Sequence, residues 1–221
     1  MYTMCKVLLK ALTLAERYRF RLLFLANVAF TITLSIPASG YVMEMTAFLF
    51  FLGTAIIALM KSQYITIIWT ISALNFLFYL LTIETATSPY LPFFYLHNIP
   101  VILLYIITSV IIFRHVVRGA PVTAETLYGL GSLYLQTGLV FAFIYDFIEH
   151  IHPGSILTPV GLVSFDSLVY FSIVTLTTLG YGDIQPVTPV TRLLVCTESI
   201  FGVLFIAIIA SRIMSALHSK K

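Results

Sequence analysis

The chain has 221 residues, of which 60% are hydrophobic and only 10% are charged, whereas soluble domains carry roughly 25% charged residues. Such a composition excludes a water-soluble globule, because a soluble domain of this size needs a largely polar surface. The net charge of +3 is too small to indicate a nucleic-acid partner. Cys5 and Cys196 predict neither a disulfide framework nor a paired metal site.

The first half of the chain contains four apolar stretches that we predict to be membrane-spanning helices, because about 20 apolar residues cross a bilayer core. They run from after Arg21 to about Ile36, from Met45 to Met60, from Tyr64 to Ile83 and from Ile99 to Phe113. A voltage sensor needs roughly 3 to 4 gating charges per subunit. The fourth stretch has no basic residue in its interior, and Arg114 and Arg118 are expected to anchor its cytoplasmic end. We therefore predict little sensor-driven voltage dependence.

The second half contains two further spans, one between Glu125 and Asp146 and one from after Arg192 to about Arg212. Between them lies Phe165–Thr178, an apolar segment of roughly 14 residues that is too short to cross a bilayer. This length predicts a re-entrant, half-membrane helix. The expected fold class is an all-α membrane protein with six transmembrane helices and a re-entrant pore helix between helices 5 and 6.

The basic residues favour one orientation. With six spans and a cytoplasmic amino terminus, only Arg192 of the 12 Lys and Arg residues falls outside the cell, in agreement with the positive-inside rule. We therefore expect a multi-pass protein of the cell membrane with both termini in the cytoplasm.

The amino terminus has alternative interpretations. Its basic stretch, apolar run and small residues at 38–40 are also typical of a secretory signal, but removing the first span would spoil the distribution of basic residues. Residues 1–21 are expected to form a cytoplasmic basic segment, either an interfacial helix on anionic lipid or a simple basic flank.

The short apolar segment ends in the sequence TLTTLGYGD at 175–183. An ion that enters a bilayer must replace its hydration shell, and backbone carbonyls do this without adding net charge. Consecutive carbonyls face one side when the backbone alternates between right- and left-handed regions, and glycine enters the left-handed region at little cost. Gly180 and Gly182 have this alternate spacing.

These residues resemble the signature of the tetrameric potassium channels: threonine, any residue, threonine, threonine, valine, glycine, tyrosine, glycine, aspartate. Leu179 departs from the signature, because valine or isoleucine is usual there; the carbonyl is kept, but packing behind the filter could change. The resemblance covers roughly residues 122–215, whereas the first four spans match the family's six-span plan only in number and orientation. It implies a prokaryotic-type channel in the cytoplasmic membrane.

The resemblance implies a potassium-selective filter. Potassium ions would bind in a row between the carbonyls of Thr178, Leu179, Gly180 and Tyr181, with the Thr178 hydroxyl as a further ligand, and Gly182 would form the outer rim. One filter strand per chain cannot surround an ion, so a ring of carbonyls implies a homotetramer around one pore.

Four residues are expected to support the filter: Thr177, Asp183, Tyr170 and Glu198. Asp183 has the spacing to bond with Tyr170 on the pore helix of its own or a neighbouring subunit. Glu198 must face protein, because an exposed carboxylate in lipid is costly. It is read as a polar strut behind the filter, as a proton-sensitive group, or as a simple hydrogen bond between helices. The resemblance directs the Tyr181 ring into surrounding side chains.

Small residues suggest where helices meet. Gly202 lies where the resemblance places the gating hinge of the inner helix, although a small residue for close packing explains it equally well. Gly131, Gly138 and Ala142 share one face of the fifth span and predict a close approach of the sixth span. The carbonyl end of the pore helix near Thr177 is expected to point toward the pore axis and favour cations.

Polar residues cluster at the outer end of the fifth span. His150 and His152, with Glu149 and Asp146, could bind a divalent metal ion or sense pH. A hydrated helix end is the commoner explanation of such a group.

The expected domains are a cytoplasmic basic segment (1–21), a four-helix transmembrane domain (22–118), a pore domain (119–215) and a short cytoplasmic tail (216–221). With so short a tail, we expect no cytoplasmic nucleotide-binding or conductance-regulating domain. Control by a ligand is then expected to act on the membrane part or through an unknown regulatory protein. Besides potassium ions in the filter, no cofactor is expected.

Two other functions stay open. One is a channel-like regulatory subunit that does not conduct alone. The other is an intramembrane enzyme or metal transporter that uses Glu198 and the outer histidines, for which the spans offer no pair of ligands with suitable spacing. We expect the chain not to be an enzyme.

Overall fold

The computed structural model describes residues 17–34, 49, 52–56, 59, 65–85, 98–117, 123–159, 161 and 163–218. Within these ranges lie six helices and two short strands: α1 (Arg19–Leu34), α2 (Ile65–Thr85), α3 (Asn98–Val117), α4 (Ala124–Ile151), β1 (Ile156–Leu157), α5 (Phe165–Leu176), β2 (Gln185–Pro186) and α6 (Pro189–His218). Residues 52–56 are also helical.

The helices follow the predicted positions closely. α1, α2 and α3 correspond to the first, third and fourth predicted spans, α4 and α6 to the fifth and sixth, and α5 to the pore helix. Residues 1–16, most of the second predicted span, Arg118 and residues 219–221 lie outside the described residues.

Two helices in the described residues are long and apolar enough to cross a membrane. They are Ala124–Ile151, with 28 residues, and Pro189–Met214, with 26 residues. Shorter apolar helical stretches are Ile65–Leu74, Val101–Arg114 and Phe165–Leu176. The expectation of a mainly helical protein with apolar helices of membrane length is confirmed.

Helix α4 begins and ends at clear local signals. The Thr123 side chain accepts from the Thr126 backbone N–H in a capping box, and Glu125 in the first turn complements the helix dipole. The helix continues five residues beyond the predicted end at Asp146 and stops at Ile151. It ends there because Pro153 disfavours helical backbone in the residue before it.

α4 is the central helix of the fold and packs against α1, α3 and α5. The core between them contains fully buried Leu23, Leu104 and Leu139.

The small-residue face of α4 does not meet the partner that we predicted. A Cβ at Gly131 would meet the Phe24 ring of α1, and one at Gly138 would meet Leu176 and Ile173 of α5. At these two glycines the prediction of α6 as the partner is therefore wrong, because α1 and α5 lie there.

A two-stranded antiparallel ladder joins the loop after α4 to the segment that follows TLTTLGYGD. Ile156 of β1 pairs with Pro186 of β2, and Leu157 pairs with Gln185. The Ser155 carbonyl adds to this connection, because it accepts a hydrogen bond from the Val187 N–H at 2.9 Å.

Candidate ion-conduction site

The pore helix α5 ends in a closed hydrogen-bond motif. The Thr178 N–H donates to the Thr175 carbonyl and the Leu179 N–H to the Val174 carbonyl, each over 3.0 Å. These two bonds form a Schellman motif, in which the residue just after the helix cap is left-handed and usually glycine. Here Thr178 takes that position, with φ +60°.

Left-handed backbone recurs at every second residue of the segment. Thr178, Gly180 and Gly182 have φ values of 60°, 56° and 79°. Glycine adopts such values without steric cost, whereas a β-branched residue at positive φ is a genuine outlier. The alternation expected from the two glycines is present and begins one step earlier, at Thr178, which the sequence analysis did not foresee.

Two large side chains of this segment, Leu179 and Tyr181, receive little cover from their own chain. Leu179 is 60% exposed and Tyr181 is 68% exposed. A Cβ at Gly180 or Gly182 would meet no atom of the described chain within 4 Å. Backbone conformation, rather than a close neighbour in the chain, therefore accounts for glycine at both positions.

Three polar contacts surround the segment. The Asp183 carboxylate lies close enough to Tyr170 of the same chain to interact with it, and both residues line an open cavity of about 480 Å³ beside the pore helix. The Gln185 amide donates to the Gly182 carbonyl at 2.9 Å. The Thr177 hydroxyl donates back to the Ile173 carbonyl of α5 at 2.7 Å. This bond stabilises the end of its own helix.

Glu198 is completely buried and connects three helices. One carboxyl oxygen accepts from the Tyr145 hydroxyl of α4 at 2.7 Å, and the other lies 2.5 Å from the Ser172 hydroxyl of α5. Ser172 also lies 2.6 Å from the Gly138 carbonyl of α4. The residue therefore faces protein and sits behind the pore helix, where the sequence analysis expected a strut.

Gly202 of α6 touches the last residue of the pore helix. A Cβ built on Gly202 would overlap the carbonyl oxygen of Leu176, and the Leu176 side chain also lies against Gly138 on the opposite helix, α4. The close approach of α6 to α5 accounts for a glycine at this position without a hinge.

The outer polar residues do not converge on one point. Both carboxyl oxygens of Glu149 accept backbone N–H groups, from Gly154 at 2.6 Å and Ile156 at 2.9 Å. His150 lies beside Asp146, its Nδ1 3.5 Å from a carboxyl oxygen. The described residues contain no group of three or more His, Cys, Asp or Glu side chains that could hold a metal ion. Glu149 instead holds the loop that follows α4.

Four contributors to the site were missed by the sequence analysis. Ser172 and Tyr145 bind Glu198. Leu176 lies between Gly138 and Gly202, and its carbonyl accepts from the Tyr134 hydroxyl at 2.9 Å. Only the two glycines gave a signal in the sequence, and they did not reveal which residue lay between them.

A half-length helix between two membrane-length helices, followed by a segment with alternating left-handed residues, fits the fold of a pore-loop ion channel. A family model described as "Ion channel" matches residues 133–219, which contain most of α4 and all of α5, the TLTTLGYGD segment and α6. No solved structure matches the chain.

Two curated relatives are similar in part. The chain is 38% identical over 86 residues to the inward rectifier potassium channel Kirbac3.1 of Paramagnetospirillum magnetotacticum, covering 37% of this chain and 26% of that protein. It is 38% identical over 53 residues to two pore potassium channel a of Oryza sativa subsp. japonica, covering 24% of this chain and 15% of that protein. The chain thus spans a small part of each relative's length.

Residues 133–219 thus match an ion channel family, and parts of the chain are similar to two potassium channels. The resemblance described from TLTTLGYGD is confirmed, and the protein carries an ion channel domain in a membrane-embedded fold.

Proposed function

We propose that the protein is a potassium-selective channel that conducts passively through a filter formed by Thr178, Leu179, Gly180, Tyr181 and Gly182. The observation that carries the proposal is the alternation of positive φ at Thr178, Gly180 and Gly182 directly after a half-length helix. This alternation allows successive carbonyls to line one side of a strand and to replace the water of a dehydrated cation.

The chemistry of the five residues suits potassium. Their backbone carbonyls are neutral oxygens, so they can hold a monovalent cation without binding it too tightly to leave. The Thr178 hydroxyl adds a ligand at the inner end. Potassium ions are then the only bound group that the proposal requires.

A homotetramer is proposed because one chain supplies only one row of carbonyls. The exposure of Leu179 and Tyr181 supports this proposal. So does α6, because few of its apolar residues are buried within the chain. Neighbouring subunits would cover the filter side chains, and both subunits and lipid would cover α6.

For the remainder of the chain we propose a six-span, multi-pass arrangement in the cell membrane with both termini in the cytoplasm. α2 and α3 have 21 and 20 residues, enough to cross a bilayer core of about 30 Å at about 1.5 Å per residue. Residues 22–118 would form a peripheral domain without voltage-sensor arginines, and 119–215 the pore domain.

The experiment is the reversal potential of the purified protein in a planar bilayer with potassium on one side and sodium on the other. Gly180→Ala is compared with Gly161→Ala. Both glycines have positive φ and would place a Cβ in open space within the described chain, but Gly161 lies outside the filter. We expect the native chain and Gly161→Ala to reverse near the potassium equilibrium potential, and Gly180→Ala to lose this preference.

Two results would contradict the proposal. A native tetramer that conducts without preferring potassium would refute the filter assignment. A native tetramer that carries no current at any voltage, pH or lipid composition would favour a regulatory subunit that does not conduct alone.

A further inference from the structure

We infer that Tyr134 is a positioning residue for ion selection: its hydroxyl holds the carbonyl end of the pore helix and thereby sets the backbone of Thr178. The inference rests on the proposed function of Thr178 as a filter residue. Tyr134 lies on α4, 42 residues before the carbonyl that it binds, and touches no proposed ion ligand directly.

The first step of the argument concerns the last four carbonyls of α5. Backbone N–H groups of the next residues bind three of them, those of Ile173, Val174 and Thr175. The fourth, Leu176, accepts its described hydrogen bond from the Tyr134 hydroxyl at 2.9 Å. Three of the four carbonyls are therefore bound by the backbone of residues 177–179, and the fourth is bound by Tyr134 of α4.

The second step concerns what else holds Leu176. Its side chain is only 2% exposed and lies between Gly138 of α4 and Gly202 of α6. The Gly202 backbone is so close to the Leu176 carbonyl that a Cβ would overlap it. The glycines limit where the carbonyl can go, and the Tyr134 hydroxyl supplies the directional attraction that orients it.

The third step links Leu176 to the filter. Thr178 follows two residues later and is held at φ +60° by the bonds of the Schellman motif. A threonine relaxes from this region unless its surroundings hold it there. Rotation of the Leu176 peptide would weaken the neighbouring bonds and release Thr178, which is the proposed innermost ion ligand.

The Tyr134 ring is itself fixed. Its centroid lies 5.4 Å from that of Phe205 on α6, which is 3% exposed. Phenylalanine at position 134 would keep this ring contact and lose only the hydroxyl. The Tyr134→Phe variant therefore isolates the hydrogen bond.

The test compares Tyr134→Phe with Tyr128→Phe, which removes a hydroxyl from the same helix away from the pore helix. Both are measured as assembled channels in planar bilayers with potassium opposite sodium. For Tyr134→Phe we expect the potassium-to-sodium permeability ratio to fall about fivefold, the factor that one neutral hydrogen bond represents. Tyr128→Phe should keep the native ratio.

The outcomes separate this inference from the proposed function. A native chain without potassium preference overturns the proposed function and the inference with it. A selective native chain whose Tyr134→Phe variant keeps the ratio, even if the assembly melts at a lower temperature, overturns the inference alone, because the hydroxyl is then merely structural. If Tyr134→Phe does not assemble, four linked subunits with a single Tyr134→Phe change are measured instead. A reduced ratio supports the inference and an unchanged ratio overturns it.

Discussion

The Ser172 hydroxyl lies within hydrogen-bond distance of two acceptors at once, the Glu198 carboxyl at 2.5 Å and the Gly138 carbonyl at 2.6 Å. A serine hydroxyl has one proton, so it can donate to only one of these two acceptors at a time. The pore helix is thus joined at Ser172 to α6 through a side chain and to α4 through the backbone. Replacing Glu198 tests what this junction needs.

Glu198→Gln is expected to keep potassium selectivity, because a glutamine amide can donate to Ser172 while its oxygen accepts from Tyr145. Glu198→Ala should lose stability, because buried hydroxyl groups without partners cost about 1 to 3 kcal/mol each. The measurement is the temperature at which the solubilised assembly dissociates, together with the reversal potential. If Glu198→Gln is as damaging as Glu198→Ala, the junction depends on the negative charge of the carboxylate.

Gly202→Ala is expected to displace the pore helix, because the new methyl group would overlap the Leu176 carbonyl oxygen. We expect a destabilised assembly and reduced potassium selectivity. The matched control is Gly53→Ala on an exposed helical position, where a Cβ meets no atom within 4 Å and alanine favours the helix by about 0.5 to 1 kcal/mol.

A hinge at Gly202 makes a different prediction from this contact. A glycine needed only for bending would, as alanine, change the open probability and leave selectivity and thermal stability close to native. That pattern would contradict a packing role for Gly202.

We expect α3 to give the conductance only a weak dependence on voltage. Its basic residues lie at its carboxyl end, where Arg114 is exposed, so no series of charges can move through the membrane field. We expect the steepness of the conductance–voltage relation to correspond to a gating charge of less than about one elementary charge per subunit. A voltage sensor moves roughly 3 to 4. Arg114→Gln should leave this slope unchanged, and a slope that drops with Arg114→Gln would show that this residue carries gating charge.

Glu149 is expected to act as a loop anchor rather than as a metal ligand. Glu149→Ala removes the acceptor for the Gly154 and Ile156 N–H groups and should lower stability by about 1 to 2 kcal/mol. Replacing His150 and His152 together by alanine should change stability little. Both are followed by thermal dissociation with and without zinc. Zinc protection of the native protein that disappears in the double histidine variant would show that the outer site binds metal.

Much of the pore could be predicted from short sequence patterns. The lengths of apolar runs predicted α2, α3, α4 and α6, since crossing a bilayer is a requirement on consecutive residues. The left-handed positions Gly180 and Gly182 could be predicted because glycine spacing reports backbone conformation directly. The left-handed backbone of Thr178 could not be predicted in this way, because its positive φ is imposed by the Schellman motif and not by the preference of threonine.

The contacts between helices could not be predicted in the same way. The sequence shows a carboxylate in the last span and small residues in α4, but it does not show their partners. The Glu198 bonds to Tyr145 and Ser172 join residues that are 53 and 26 positions apart.

The membrane class, the helix that stops halfway and the residues that line the proposed ion path could be predicted without coordinates, because each depends on local length, hydropathy or backbone preference. The packing of the helices was needed to find that α1 and the pore helix lie against the glycines of α4, that Gly202 meets Leu176 and that Tyr134 binds the end of the pore helix. These contacts depend on which surfaces meet when several helices pack together, and many pairings of apolar faces satisfy the same sequence pattern.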